Sequence, residues 1–318
     1  MILKIPEILK FKSISTLLGV FAITGVFFSL IGPNGVDWYY YSSVNPAYER
    51  IYFQREIVSW LIIDIVNSID QGGVLMGAVI CTLLVVGTYR LSYELTGEAH
   101  VSLLITLLLV FSNFYLLMSV NGLRQGMSLG FLLLALKRFH QSSRLPLIYI
   151  ALSILSHNSA AIFLPMFLVR KVSAWFFLLG TFAIGASGNF LIEFANKNSN
   201  PSVTQNKEIF LALSCVIVCL ILFHKVIKKA RYAFTGRRWE NALLAIYLLI
   251  VSSAFYSSSA VYERLVYTTV PLLVIYFSIV LSVYRPRLFL GMLLIIIVGL
   301  SSIYSLSHPS VRNNFHNL

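Results

Sequence analysis

The stretch NGLRQGMSLGFLLLALKRFH, residues 121–140, combines the features that decide the fold. Its apolar part has about the length of one membrane span, for which about 20 residues are needed. Gly122, Gly126 and Gly130 form a GxxxGxxxG ridge that suits close helix packing. On roughly the opposite face, at spacings i, i+3, i+4 and i+7, stand Asn121, Arg124, Gln125 and Ser128. One side of this helix should therefore pack against a neighbour, while the other offers a guanidinium and amides to a cavity.

The composition around this stretch predicts a membrane protein. Of 318 residues, 58% are hydrophobic and 11% are charged, whereas a soluble domain carries about 25% charged residues. The mean hydropathy of +0.82 is too high for a surface that faces water. The net charge of +12 fits cytoplasmic loops that collect Lys and Arg better than it fits nucleic-acid binding. The three cysteines lie in apolar runs without metal-ligand spacing, so we expect no metal site and no cofactor.

The apolar segments predict an all-α, polytopic integral membrane protein with about 10–11 membrane helices in one transmembrane domain, 1–318. Segment 55–69 is shorter and carries charges, so we expect an amphipathic helix at the membrane interface. Segment 145–170 is apolar but interrupted by Ser156-His157-Asn158-Ser159. The predicted spans are 14–31, 72–89, 100–119, 121–138, 173–194, 207–224, 240–256, 265–283 and 288–305.

The distribution of positive charge orients these spans. Three lysines before the first span place the N-terminus in the cytoplasm, and the basic loop 225–239 should be cytoplasmic as well. Between Arg144 and Lys225 the chain must then cross the membrane an even number of times. This condition is met if 145–170 is a broken, re-entrant helix pair that turns at His157. The loop 32–71, with its interfacial helix, then faces outward.

Ionisable residues inside spans are costly, so each calls for a functional or a structural reason. Arg124 suits a phosphate or diphosphate because its planar fork binds oxygens in pairs, although a snorkelling arginine or an intramembrane salt bridge is the alternative. His157, beside Ser153 and Ser156 at the predicted break, could accept a proton from a hydroxyl or hold a phosphate. The alternative for His157 is a purely structural role.

Two further groups stand on the predicted outer side. Glu263 and Arg264, near Tyr262, could supply a carboxylate base and a second phosphate ligand, or form an interfacial ion pair within an aromatic belt. In the loop 32–71, Asp37 with Trp38 and Tyr40 could bind a sugar ring, although aromatic residues are also typical of membrane interfaces. The sequence contains no GxxxxGK[ST], HExxH or GxSxG motif, so ATP hydrolysis and metalloprotease chemistry have no support.

Across NGLRQGMSLGFLLLAL, 121–136, and LPLIYIALSILSHNSAAIFLPMFLV, 145–169, the chain resembles the EpsG-like family of Wzy-type polysaccharide polymerases. The pattern is N-x-x-R-Q opening a span, followed about 30 residues later by an apolar helix that ends in H-x-S-A. Its positions here are Asn121, Arg124, Gln125, His157, Ser159 and Ala160. The Asp37 and Arg264 regions also look like family features, and the resemblance covers about residues 15–285.

The resemblance implies a glycosyltransferase in the bacterial cytoplasmic membrane that makes O-antigen, capsule or exopolysaccharide. A growing glycan would leave undecaprenyl diphosphate and join an incoming lipid-linked repeat unit at the outer leaflet. Its partners would be the lipid-linked oligosaccharide, membrane lipids and a chain-length regulator, and no nucleic acid.

Within that scheme, Arg124 and Arg264 would contact diphosphates, and His157 would be a base or phosphate contact. Glu263 or Asp37 would be an alternative base or a sugar ligand. The other expected substrate ligands are Asn121, Gln125, Ser128, Tyr262, Trp38 and Tyr40. Two alternatives remain: another lipid-linked-sugar glycosyltransferase or glycan ligase, and a flippase or transporter of lipid-linked oligosaccharides.

Overall fold

The structure, a computed structural model, describes residues 56–70, 74–110, 112–120, 122–141, 145–188, 207–231, 240–257 and 259–283. Within these ranges the chain is helical and contains no strand, which confirms the all-α prediction for them. The elements are α1 (Ile57–Ile69), α2 (Val74–Thr96), α3 (Ala99–Val110), α4 (Asn113–Val120), α5 (Leu123–His140), α6 (Pro146–Ser156), a 3-10 helix (Asn158–Leu168), α7 (Ala174–Ala186), α8 (Lys207–Arg231), α9 (Glu240–Ala254) and α10 (Ser259–Val283).

Two of these helices are long and apolar enough to cross a membrane. They are Leu75–Thr96 within α2 and Arg264–Ser282 within α10. The shorter apolar helices in the described ranges have 10–17 residues. The predicted spans 14–31 and 288–305 lie outside the described residues. A multi-pass arrangement with about 10–11 membrane helices therefore stays a prediction.

The predicted span 100–119 is wrong as a single helix. α3 ends at Val110 and α4 begins at Asn113, with a bend at Ser112 between them. The backbone N–H of Ser112 donates to the Leu109 carbonyl over 3.1 Å, and the Ser112 hydroxyl contacts the same oxygen. Serine and asparagine side chains compete with the helical ladder for backbone groups, so a Ser-Asn pair favours an interruption here.

The prediction that the basic segment 225–239 forms a loop is wrong for its first half. α8 continues to Arg231, so residues 225–231 extend the helix and do not form a loop. Lysine and arginine are good helix formers, and cations near a helix C-terminus interact favourably with the helix dipole. The cytoplasmic location of this segment stays a prediction, and residues 232–239 lie outside the described ranges.

The described residues separate into two compact units, 56–160 and 161–283. In the first, α2 packs closely against α5 at glycine positions. A Cβ on Gly130 would lie 2.8 Å from Leu83 Cβ, and one on Gly87 would lie 2.8 Å from Leu133 Cβ. A Cβ on Gly126 would lie 2.7 Å from Cγ2 of Ile80 on α2. Gly126 and Gly130 of the predicted ridge therefore lie at a packing face, which confirms the prediction for these two glycines.

The other face of α5 contacts α6, and the contact is polar. The hydroxyl of Ser128 donates to the Ser153 carbonyl over 2.9 Å, and the hydroxyl of Ser153 donates to the Ser128 carbonyl over 2.8 Å. Both serines are buried. Each serine hydroxyl thus donates a hydrogen bond to a backbone carbonyl of the other helix, which fixes the register of α5 against α6. α1 packs against α6 at the end where α6 stops.

The segment 145–170 is interrupted at His157. α6 ends at Ser156, His157 is extended with φ −158° and ψ 121°, and a 3-10 helix follows from Asn158. Pro165 lies inside that 3-10 helix, where it cannot donate an amide hydrogen bond. The re-entrant arrangement of the two arms stays a prediction.

The second unit is built around α9, which packs against α7, α8 and α10. Tyr247 of α9 is fully buried, its hydroxyl donates to the Ile162 carbonyl of the 3-10 helix, and its ring lies 5.9 Å from that of Phe177. At the start of α9, Glu240 accepts a hydrogen bond of 2.7 Å from Nε of Arg170. These contacts join the 3-10 helix and α7 to α9 within this unit.

Candidate functional site

The carboxylate of Glu56 connects the two motif residues that the sequence placed far apart. One oxygen, Oε2, accepts from Nη1 of Arg124. The other, Oε1, lies 2.6 Å from Nδ1 of His157 and accepts from the backbone N–H of Asn158 over 3.4 Å. We call Glu56, Arg124 and His157 the carboxylate cluster.

The carboxylate cluster is partly accessible. The side chain of Glu56 is 6% exposed, while those of Arg124 and His157 are 24% and 16% exposed. The carboxylate is thus the most deeply buried group of the cluster, and the guanidinium and the imidazole lie nearer the surface. Such an arrangement can present a cation and a ring nitrogen to a ligand while it keeps the negative charge away from it.

Glu56 is fixed by the start of α1. It directly precedes the helix, and its carbonyl accepts from Trp60 N over 3.2 Å in the first helical turn. The Ser59 hydroxyl lies 3.0 Å from the Glu56 carbonyl oxygen and 2.9 Å from that of Ser156. α1 is therefore tied to the end of α6, and the carboxylate lies beside the helix break at His157.

Arg124 stands in the first turn of α5. A cation is disfavoured there because the N-terminal end of a helix carries partial positive charge. The carboxylate of Glu56 offsets this cost, and the ring of Trp60 lies 5.7 Å from the guanidinium carbon, within cation–π range. These two partners hold the guanidinium of Arg124 at a position that it would otherwise not favour.

The break after α6 gives His157 its position. The backbone N–H of His157 still donates to the Ser153 carbonyl over 3.0 Å, but the extended backbone turns the residue away from the helical path. Because an ionised carboxylate can only accept hydrogen bonds, Nδ1 of His157 must carry the hydrogen in the 2.6 Å contact. In the neutral ring, Nε2 is then the nitrogen with the lone pair.

The pKa of the Glu56 carboxyl lies below its ordinary value. Burial by itself raises this pKa, but the hydrogen bond to His157, the charges of His157 and Arg124, and the Asn158 amide together outweigh burial. Glu56 is therefore ionised at neutral pH. With a neutral His157 the carboxylate cluster has no net charge, and it gains one positive charge when His157 takes up a proton.

Several predicted site residues lie outside the carboxylate cluster or outside the described residues. Asp37, Trp38, Tyr40 and Asn121 fall outside the described residues. Gln125 is buried on α5, and Ser128 is buried in its contact with Ser153. These positions do not put the two side chains on an open surface, and their roles as substrate ligands stay predictions.

The group near the start of α10 belongs to the second unit. Tyr262 is buried, and its ring meets that of Tyr256 edge-on at 5.4 Å. Tyr256 donates to Glu208 of α8 over 2.8 Å. Arg264 is exposed, and the side chain of Glu263 is not among those that the structure describes. The functional roles assigned to Tyr262, Glu263 and Arg264 stay predictions.

Sequence reasoning missed the central role of Glu56. The residue was visible as one of several charges in 55–69, but nothing in its neighbourhood distinguished it from Asp64. Arg124 itself could have indicated such a residue. A cation in the first turn of an apolar helix is disfavoured, so it calls for a carboxylate partner from another segment. The salt bridge that the sequence left as an alternative for Arg124 is present, with Glu56 as its partner, and the same carboxylate contacts His157. Its location within the membrane stays a prediction.

Comparison with known proteins gives one result that covers nearly the whole chain. A model of the EpsG family matches residues 15–316. No curated protein matches the chain, and no solved structure matches it. The family match spans both motif halves, with Arg124 and His157, and also Glu56.

Proposed function

The chain belongs to the EpsG family, and from this premise we propose that it is a membrane glycosyltransferase of the Wzy type. It would polymerise polysaccharide by transferring a growing glycan from undecaprenyl diphosphate to an incoming lipid-linked repeat unit. The observation that carries this proposal is the convergence of Arg124 and His157 on one buried carboxylate. A cation and a ring nitrogen within one partly exposed cluster are what this transfer needs.

The chemistry follows from the charges of the carboxylate cluster. The acceptor sugar hydroxyl gives its proton to Nε2 of His157 and attacks the anomeric carbon of the donor glycan. A carbon–oxygen bond forms there as the bond from that carbon to the diphosphate oxygen breaks, and the diphosphate leaves with the electron pair. Proton uptake by His157 gives the cluster a net positive charge at the moment when negative charge develops on the leaving group.

Arg124 is the proposed contact for that leaving diphosphate, because its guanidinium is partly exposed and planar. Arg264 is proposed as a second diphosphate ligand, with Glu263 or Asp37 as a sugar ligand or an alternative base. The remaining proposed substrate contacts are Asn121, Gln125, Ser128, Tyr262, Trp38 and Tyr40. No metal is assigned to the reaction, since an arginine can supply the charge.

The proposed location is the bacterial cytoplasmic membrane, with several spans and a cytoplasmic N-terminus. Large apolar side chains on α7 support a lipid environment, since Trp175 is 77% exposed and Phe176 is 73% exposed. The basic C-terminal turn of α5, with Arg138, would face the cytoplasm. Arg124 lies about 21 Å away along the helix at 1.5 Å per residue, which would place it towards the outer leaflet.

Reconstitution in vesicles with a lipid-diphosphate-linked repeat unit tests this function. We expect a ladder of longer lipid-linked glycans, and we expect Arg124→Ala to abolish it. Arg90→Ala is the matched control, because Arg90 is an exposed arginine on α2, outside the carboxylate cluster, and this variant should keep the ladder. Transfer of the repeat unit across the bilayer without lengthening would identify a flippase. A single transfer to another acceptor would identify a ligase, and either result overturns the polymerase.

A further inference from the structure

We propose that Glu56 is the positioning residue of this site, which holds His157 in the tautomer that accepts the proton and holds Arg124 beside it. This inference rests on the proposed function but assigns a role that the family match does not contain. The geometry points to it, because one carboxylate binds both motif residues through different oxygens.

Glu56 is poorly suited to be the base. Oε1 already accepts from His157 and Asn158, and Oε2 accepts from Arg124. Only 6% of the side chain is exposed, so an acceptor hydroxyl has little access to it. The hydrogen bonds and neighbouring charges also keep the pKa of its carboxyl below the ordinary value, and a carboxylate of low pKa is a weak base.

The same contacts make Glu56 well suited to orient a base. A carboxylate bound to one imidazole nitrogen fixes the ring and its tautomer, and it stabilises the imidazolium that forms during proton transfer. Here the carboxylate binds Nδ1 of His157, so the proton must be accepted at Nε2. Nε2 is therefore the atom that the acceptor hydroxyl would approach.

The scaffold keeps Glu56 itself in place. Its backbone carbonyl belongs to the first turn of α1, and Ser59 ties that turn to the Ser156 carbonyl at the end of α6. Among the described residues, the carboxylate of Glu56 contacts His157 directly, and Arg124 of α5 is paired with the other oxygen of the same carboxylate. Removal of the Glu56 charge should therefore release the ring of His157 from its position.

The test is Glu56→Gln in the full chain, assayed in the same vesicles over a range of pH. We expect kcat to fall about 100- to 10,000-fold, with KM changed much less, because Glu56 does not touch the substrate. The acid limb of the pH–rate profile should move to lower pH, since a carboxylate that stabilises imidazolium has been removed. Asp64→Asn is the matched control, because Asp64 is a carboxylate of α1 outside the cluster, and it should leave kcat and the profile unchanged.

Two further measurements keep the inference separate from the polymerase assignment. Glu56→Asp keeps the charge and should recover part of kcat, with an acid limb close to that of the wild type. In ¹⁵N-histidine NMR of the wild-type protein, the His157 signals, assigned by their loss in His157→Gln, should show the Nδ1–H tautomer at a pH where the ring is neutral.

An Nε2–H tautomer would overturn the positioning role whether or not a ladder forms. Wild-type kcat in Glu56→Gln would also overturn it, and so would a lower kcat with an unmoved pH profile, which is what a merely structural role gives. If the wild type makes no ladder, the polymerase fails, and the NMR result still decides the role of Glu56.

Discussion

Replacing Gly130 by alanine should destabilise the protein, although alanine is the better helix former. Gly130 lies inside α5 at its contact with α2. A Cβ at this position would lie 2.8 Å from Leu83 Cβ and 3.2 Å from the Leu83 backbone carbon. Neither atom is the far end of a flexible side chain, so relief requires that one helix moves away from the other.

The magnitude is a difference between two terms. Alanine gains about 0.5–1 kcal/mol over glycine inside a helix. Overpacking a well-packed contact costs about 1–3 kcal/mol, and the contact with Leu83 is in the range that forces a backbone shift. A contact as short as 2.8 Å to a Cβ places the overpacking cost in the upper half of its range, at about 2–3 kcal/mol. With a helix-propensity gain of about 1 kcal/mol, the expected net loss for Gly130→Ala is about 1–2 kcal/mol.

The assay is thermal stability in detergent, measured as the temperature at which half of the monodisperse peak is lost in size-exclusion chromatography. A loss of 1–2 kcal/mol should lower this temperature by a few degrees, at about 2–4 °C per kcal/mol. Gly180→Ala in α7 is the matched control, because no atom of the described part of the chain outside its own helix lies within 4 Å of the added Cβ. This control should equal or exceed the wild type in stability. Gly130→Ala with wild-type or higher stability, beside a well-behaved control, would refute the tight contact between α2 and α5.

The remaining predictions concern the polar contacts of the first unit. Ser128→Ala and Ser153→Ala should each cost about 0.6–2 kcal/mol in the same stability assay, because each removes a buried interhelical hydroxyl, and the double variant should cost less than the sum. Additive losses would show that the two hydroxyls do not interact. Because the folded-state pKa of Glu56 is lowered from 4.5, its stabilising contribution should be complete above pH 4.5 and should disappear as the pH falls further. Thermal stability measured from pH 7 to pH 3 should show this loss in the wild type and a smaller loss in Glu56→Gln, and equal losses would contradict it.

Much of the local structure could be predicted because it depends on nearby residues. The helices around Arg124 and at 57–69 and 240–254, and the part of α10 from residue 265 onward, follow from apolar runs of suitable length and from helix-forming composition. The start of α10 at Ser259 lies before the predicted span 265–283. The interruption next to His157 was also expected, since Ser-His-Asn-Ser breaks an apolar pattern. Helix ends were less predictable. Hydropathy predicts that the span ends at residue 224, whereas α8 continues through the following lysines to Arg231.

The candidate site was predictable only in part. Arg124 and His157 stood out because charged or titratable groups in apolar helices require a reason. Ser128 was placed on the correct face of its helix, but its partner proved to be Ser153 of α6. The bend at Ser112 was missed, because a hydropathy pattern does not mark the short polar pair Ser112-Asn113 as a break in an otherwise apolar run.

The sequence by itself determined the helical fold class, the position of the glycine ridge and the family, since these depend on composition, periodicity and motifs along the chain. Only the tertiary structure decided that Glu56 joins Arg124 and His157, from which it is separated by 68 and 101 residues. The physical reason is that such contacts depend on how α1, α5 and α6 pack. Many charges in a sequence are possible partners, and among the described residues packing places Glu56 beside both motif residues.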